Sequence, residues 1–505
     1  MNIFDWTGKW AEYQPAKTAF AEYETCRELT YGQLNHLASC TAGWLKMEHH
    51  IEKGDRVAVL AENSLELMVL FAAAQKSGFI LVPLNFRLTM PEVDYLLGNC
   101  EPKAIFYEEK FADKLIGNKN FQGISFKSTF TQFAAKLDSG IQESREYVLA
   151  REAFDENHPL FLIYTSGTTA FPKGSIYTHK MLFWNSVNTQ LRLNLTGDDR
   201  SLSCAPSFHT GAWNVLVTPF LHQGAFTLLM RKFDPEDVLR ALEKYEMTVW
   251  WAVPTMLKMM ADSPVFDQVQ LTRLRYFVVG GEAMPIPLIR KWHDKGILIR
   301  QGYGLTEVGP NVTSLNHEDA IRKQGSIGKP NFYYQVRIAD DQNRDVAPDE
   351  PGELLLKGPN VTPGYWKNPE ATAETIREGW FHTGDLVRRD AEGFIYVVDR
   401  LKNMYISGAE NVYPAEVEYH IRQHPAVDSV AIIGVPDVKW GESGMAFLVV
   451  KPGCTITKEE ITAFCGDKLA RYKIPKHICF LEELPKNDAG KTDRKKLREL
   501  STQFL

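Results

Sequence analysis

The chain has 505 residues, 44% hydrophobic and 24% charged, with a formal net charge of −6, so it is long enough for about three domains' worth of ordinary globular structure. The absence of a basic excess argues against nucleic acid as a partner, and Arg494-Lys495-Lys496 reads as a solvated helix face. No apolar run reaches the roughly 18 residues of a membrane span, no signal-peptide pattern opens the chain, and seven cysteines without a C-x-x-C suggest free thiols. The expectation is a cytoplasmic protein.

Residues 29–34 open an amphipathic helix, with Thr30 and Gln33 spaced as a capping box. A strand over 56–60 (RVAVL), a helix over 64–77 with apolar Leu65, Met68, Leu70, Phe71 and Ala74, a strand over 80–83, a helix over 91–97 and a strand over 104–107 follow. That alternation predicts a parallel sheet covered by helices. Residues 111–158 are polar and weakly periodic.

Residues 161–174 read FLIYTSGTTAFPKG. An apolar strand end breaks into Thr165, Ser166, Gly167, Thr168 and Thr169, then Lys173 and Gly174. Small residues let backbone N–H groups approach an anion, hydroxyls add donors and a lysine balances charge. Phosphate holding is the chemistry implied. Pro172 stands where a Walker A loop needs glycine, and a plain surface turn is the structural alternative. Further on, a strand over 202–209 ends on Phe208-His209, with Trp213 four residues later.

A helix over 234–247 has Asp234 as N-cap and Pro235 at its first position. Strands over 248–253 and 275–279 follow, the second running into Gly280-Gly281-Glu282-Ala283; a glycine pair at the end of a parallel strand marks a ligand crevice. After a strand over 297–300 comes Gln301-Gly302-Tyr303-Gly304-Leu305-Thr306-Glu307, with a flat ring for a purine and a hard oxygen for Mg2+. From Gly325 onward, Gly/Pro-punctuated short strands predict a small antiparallel barrel ending near Thr383-Gly384-Asp385 and Asp399-Arg400. The last hundred residues predict a compact α+β module: helix 414–424, strands 427–434 and 445–451, helix 457–470 and strand 477–482. Pro485-Lys486-Asn487-Asp488-Ala489-Gly490-Lys491 stands near the end.

These phrases resemble the adenylate-forming (AMP-binding) superfamily: acyl-CoA synthetases, aryl-CoA ligases, luciferases and peptide-synthetase adenylation domains. The family patterns are Y-T-S-G-T-T-G-x-P-K-G, from which Ala170 departs at the last loop glycine, Q-G-Y-G-x-T-E, T-G-D and P-x-[NT]-x-x-G-K; the matches run from about Leu29 to Leu497. The resemblance implies an α/β fold: a large N-terminal domain of doubly wound sheets plus a small β-barrel (1–399), hinged at 400–402 to a small α+β C-terminal domain (403–505). It implies a carboxylic acid, ATP and coenzyme A as reactants, Mg2+ as cofactor, and allows a homodimer.

By the same resemblance, Thr165, Ser166, Gly167, Thr168, Thr169 and Lys173 hold phosphates. Gly281, Glu282 and Ala283 wall the adenine, together with Gln301, Gly302, Tyr303, Gly304 and Thr306. Asp385 and Arg400 take the ribose and Glu307 the magnesium. Phe208 and His209 meet the acid, with His209 near its carboxylate, and an amino acid substrate is disfavoured because an aspartate is missing there. Trp213 gates an acyl tunnel or is a core residue, and both readings stand. Lys491 reaches the α-phosphate, Lys402 is the hinge, Gly408 lies near the pantetheine channel and Trp440 stacks on the CoA adenine. Lys491, Glu307 and His209 are the catalytic set. The expected reaction is ATP-dependent acid–CoA ligation of a medium- or long-chain fatty acid, with a short-chain, methylthio or aryl acid as alternatives. Rivals are an enzyme loading a carrier protein, a luciferase-like oxidase, or an inactive nucleotide-binding scaffold.

Overall fold

A computed structural model describes residues 4–138, 155–165, 171–281, 284–400, 405–412, 414–466, 468–485 and 492–505. These fall into two compact units: Met1–Phe86, Leu97–Tyr164 and Gly174–Asp399 in the first, and Arg87–Leu96, Thr165–Lys173 and Arg400–Leu505 in the second.

The opening helix, Tyr31–His49, begins on the capping box Thr30–Gln33. It packs with Leu65–Ser77, whose N-cap is Ser64 and whose end is the left-handed Gly78. The second helix is buried on every side, not only along the apolar stripe. Its polar residues are matched: Lys76 Nζ donates to Asp5 at 2.8 Å and to Asn35 at 2.6 Å, and Glu66 takes the Arg27 guanidinium at 2.7 Å. Buried charge is tolerated when paired in this way.

Beside these helices runs a six-stranded sheet in the spatial order Phe126–Thr129, Ala104–Tyr107, Arg56–Leu60, Ile80–Pro83, Pro159–Thr165, Lys173–Thr178; its first five strands pair in parallel. Residues 111–138, polar in the sequence, supply the strand Phe126–Thr129 and the short capped helix Phe130–Lys136.

A ten-stranded sheet starts with three parallel strands, Val249–Ala252, Tyr276–Val279 and Leu298–Leu305. It continues antiparallel through Gly309–Leu315 and Ser326–Pro330 to Ile395–Arg400, Trp380–Arg389, Gly352–Lys357 and Gln335–Ala339, and the tenth strand, Ile376–Arg377, pairs with Trp380–Arg389 off this path. The antiparallel strands expected after Gly325 are thus hydrogen-bonded, through Gly309–Leu315, to the parallel strands. Among the described residues no helix is long and apolar enough to cross a membrane, and all seven cysteines are free.

In the second unit, Val427–Asp437 and Gly441–Val450 form a long hairpin flanked by Tyr405–Ser407, Glu410–Val412 and His477–Phe480. Helices Pro414–Arg422 and Lys458–Gly466 close one face over Val417, Ile421, Ile432, Leu448 and Ile461. The same unit takes in residues 87–96: Lys473, 2% exposed, pairs with Glu416 at 2.7 Å and Glu92 at 3.0 Å, and Arg87 pairs with Glu410.

Candidate functional site

Tyr303, Gly304 and Glu307 lie where the strand Leu298–Leu305 turns back into Gly309–Leu315. The hairpin closes tightly at Gly304, where a side chain would run into the Pro310 backbone. The turn presents the Tyr303 phenol, which donates a 2.5 Å hydrogen bond to Asp385. Asp385 is 1% exposed and is held by its own turn: its backbone N–H donates to Thr383 Oγ1 at 3.1 Å, and the Gly384 N–H to Glu353 Oε1 at 3.0 Å.

Glu307 is positioned from another direction. The Tyr365 hydroxyl donates to its Oε1 at 3.1 Å, and the Thr362 N–H donates to its carbonyl at 2.7 Å. Residues 362–366 also bond the strand Lys173–Thr178, through Ile176 N–H to Gly364 O at 3.1 Å, Trp366 N–H to Gly174 O at 2.8 Å and Thr362 Oγ1 to Ile176 O at 2.7 Å. One short segment therefore joins the strand leaving the Thr/Ser loop to the carboxylate of Glu307. Sequence reasoning missed Tyr365; a tyrosine between glycine and tryptophan carries no pattern of its own.

No group of three or more His, Cys, Asp or Glu that could hold a metal is present among the described residues. Mg2+ is commonly held by one or two carboxylates completed by substrate phosphates and water. Glu307, a hard oxygen donor oriented by a phenol, suits that role.

His209 precedes the short helix Thr210–Asn214, with Phe208 buried beside it against Phe86. Trp213 is 1% exposed, its ring lies 5.1 Å from Phe71 and 5.2 Å from Phe161, and its Nε1 donates to Ser207 O at 2.6 Å. It belongs to the main core cluster.

A different aromatic lines a crevice. Trp251 stands with Cys204, Ala205, Gly211 and Ala212 around a pocket next to His209. Strand register places Trp251, Val278 and Arg300 side by side in one row. Two residues nearer the carboxyl ends, past the row of Ala252, Val279 and Gln301, are Gly280 and Gly302. A Cβ at Gly280 would meet Gly302 O at 3.4 Å and Trp251 Nε1 at 3.7 Å, and one at Gly302 would meet Thr313 O at 3.4 Å, all ordinary contact distances. The two glycines carry no side chain and so leave a strip of sheet bare, a slot beside the row of Trp251, Val278 and Arg300; Trp251 lines one crevice and Val278, Arg300 and Gly302 another. This slot was not legible as a motif, because it arises from register between strands far apart in sequence.

Gln301 is buried, its Oε1 accepting the Met284 N–H at 3.2 Å, and Gly281 has φ +91°. In the second unit Thr165 and Lys173 flank the loop, with Thr165 Oγ1 3.5 Å from Lys173 O. Gly408 and Trp440 are brought together there: the Gly408 N–H donates to Trp440 O at 3.0 Å, and at φ +60° a Cβ on Gly408 would press to 2.8 Å from the indole. Trp440 itself is 45% exposed. Thr306 begins the short 3-10 turn that carries Glu307. Arg400 ends its strand. Ser166, Gly167, Thr168, Thr169, Glu282, Ala283, Lys402 and Lys491 lie outside the described residues.

The family model for AMP-binding enzyme matches residues 8–366, and that for the AMP-binding enzyme C-terminal domain matches residues 416–491. The chain is 37% identical to a feruloyl-CoA synthase of Amycolatopsis sp over 97% of both chains. It is 36% identical to a long-chain-fatty-acid–CoA ligase of Mycobacterium tuberculosis over 97% of this chain and 96% of that one. Among solved structures, o-succinylbenzoate CoA synthetase from Bacillus subtilis bound with a product analogue matches with TM-score 0.88 at 31% identity, over 98% of each chain. The same enzyme in complex with ATP and magnesium ion matches with TM-score 0.72 at 30% identity, over 98% of this chain and 99% of that one.

Proposed function

The chain belongs to the AMP-binding enzyme family, and from that membership we propose that it is an AMP-forming acid–CoA ligase acting on a compact, ring-sized carboxylic acid. ATP and CoA are its co-substrates and Mg2+ its cofactor. The observation that carries the ligase reading is the pairing of Tyr303 with Asp385 in the same unit as the Tyr365-oriented Glu307.

In the first half-reaction the acid's carboxylate oxygen attacks the α-phosphorus of ATP, the bond to the bridging oxygen breaks, and pyrophosphate leaves. Positioning and charge stabilisation carry such a step without a protein nucleophile. Asp385, aligned by Tyr303, accepts the ribose hydroxyls. Thr165 and Lys173, with the hydroxyls between them, hold the phosphates. Glu307 would hold Mg2+, which when bound neutralises phosphate charge. Lys491 meets the charge developing at the α-phosphate, and His209 faces the acid carboxylate. In the second half-reaction the CoA thiol attacks the acyl carbonyl and AMP leaves; Gly408 and Trp440 serve the CoA side, with Lys402 as the hinge between the two halves.

The compact-acid reading rests on the glycine slot and the row beside it, and the similarity to feruloyl- and o-succinylbenzoate-activating enzymes supports it. A medium- or long-chain fatty acid is the second reading, favoured by the similarity to the mycobacterial ligase. Pyrophosphate release, measured across aryl, short and straight-chain acids with and without CoA, tests both. It should require ATP, Mg2+ and an acid, with thioester formed only when CoA is present. Release independent of acid would overturn the ligase reading, and a steady rise in kcat/KM to long chains would overturn the compact acid.

A further inference from the structure

The row beside the slot carries charge for which the reaction has no use. Arg300 donates to the Arg192 carbonyl at 3.0 Å and to Asn316 Oδ1 at 2.9 Å, and Arg192 donates to the same Asn316 oxygen at 3.2 Å. Two half-buried guanidinium groups thus share one neutral acceptor, and among the described residues neither forms a salt bridge with a carboxylate. Burial and then the Arg300 charge hold the Arg192 pKa below its ordinary value. Both arginines line a crevice whose walls also include Gly302, Thr189, Val278, Asn311 and Asn331.

Those walls are polar as well. Asn331 is 2% exposed; its Nδ2 donates to Asn311 O at 2.7 Å, while its Oδ1 accepts no hydrogen bond among the described residues. From the helix His179–Leu193 the polar groups Thr189 and Arg192 line the crevice. A hydrocarbon tail lying here would cover these groups and return no hydrogen bond, which is costly for buried donors and acceptors. An oxygen-bearing tail would take the spare arginine N–H groups, and a planar fork suits carboxylate and phenol oxygen alike.

We propose that the acid activated by this enzyme carries a second oxygen function, a carboxylate or a hydroxyl, at the end remote from the carboxylate that is adenylated, and that Arg300 with Arg192 receives it. The proposal rests on the ligase reading and on the slot as the acyl site. It makes Arg300 a specificity residue.

The test uses the full chain with cinnamic acid, its para-hydroxy and para-carboxy derivatives, and octanoate, read by ATP-dependent pyrophosphate release. For at least one para-oxygen acid, kcat/KM should exceed that for cinnamate by about ten- to a hundred-fold, and the better of the two identifies the oxygen. Arg300→Met should bring that ratio to within about three-fold of one, whereas Arg300→Lys should keep part of it. Arg192→Met, at the partly exposed end of its helix, gives the same reading if Arg300→Met fails to fold. A wild-type ratio near one, turnover of octanoate alone, or a ratio untouched in a folded methionine variant overturns the proposal and leaves the ligase reading standing. No acid-dependent release with any of the four overturns both.

Discussion

The Tyr303 hydroxyl lies 2.5 Å from a carboxylate oxygen of Asp385, a residue 82 positions away and almost wholly buried. In the proposed reading Asp385 accepts hydrogen bonds from two ribose hydroxyls, and a third donor would fix the plane of its carboxylate. Tyr303→Phe removes that donor and keeps the ring. The expected result is a rise of about ten-fold in KM for ATP with a smaller change in kcat, in line with the loss of one hydrogen bond to a charged group. An unchanged KM would leave the pairing without a role in nucleotide binding.

Tyr365→Phe tests the orientation of Glu307 in the same manner. The Mg2+ concentration for half-maximal activity should rise several-fold, and Glu307→Gln combined with Tyr365→Phe should cost less than the sum of the two changes, because both remove one interaction. Strict additivity would count against it.

Lys491→Ala should slow adenylate formation by about 10²–10³ while conversion of supplied acyl-adenylate to thioester stays close to wild type. Separate assays of the two half-reactions decide this. Equal losses in both, in a folded variant, would remove the division of labour between them.

Trp213 and Trp251 give opposite expectations. Trp213 is packed between Phe71 and Phe161, so Trp213→Ala should lower unfolding free energy by about 3–5 kcal/mol. Trp251→Ala, in the row beside the slot, should instead shift acid preference toward larger acids. Urea unfolding and an acid-size profile on both variants read the two effects, and a shifted profile for Trp213→Ala alone would restore it as a gate.

Stability should fall on mild acidification. Burial lowers the pKa of His222 from 6.5 to about 4; the ring stacks on Trp6 at 4.1 Å, with Nδ1 2.9 Å from Ser186 Oγ. Burial and then the His158 charge lower that of His179 from 6.5 to about 3. Both rings are neutral when folded and bind a proton when unfolded between these values. Stability from this source is therefore complete above about pH 6.5 and is lost as pH falls, by up to roughly 1.4 kcal/mol per pH unit for each ring. Urea midpoints at pH 7, 5.5 and 4.5 should decline accordingly, and His222→Gln should flatten the decline.

Local signals were readable wherever their partners were local. The Thr30–Gln33 capping box and the Asp234 cap before Pro235 both stand in the structure as spacing predicts. The all-round burial of Leu65–Ser77 was not readable, since Lys76 is neutralised by Asp5, 71 positions away. The glycine-rich phrases around 280 and 301–307 announced a crevice, yet the row beside it came from Trp251, Val278 and Arg300, which only strand register brings together. The antiparallel run after Gly325 was legible for a related reason, and only its attachment was not: a run of short strands announces antiparallel pairing, but says nothing of the outer strand to which the run attaches.

That attachment makes the ten-stranded sheet a gauge. Val278 and Arg300, which the proposed reading places under the acid, and Asp385, which it places under the ribose, are fixed to one continuous ladder of hydrogen-bonded strands. Altering the span between them would break ladder bonds worth about 0.5–1.5 kcal/mol each. An acid too long for that span cannot be accommodated by sliding the nucleotide away, so the sheet sets a length tolerance that loop mutations should be unable to relax.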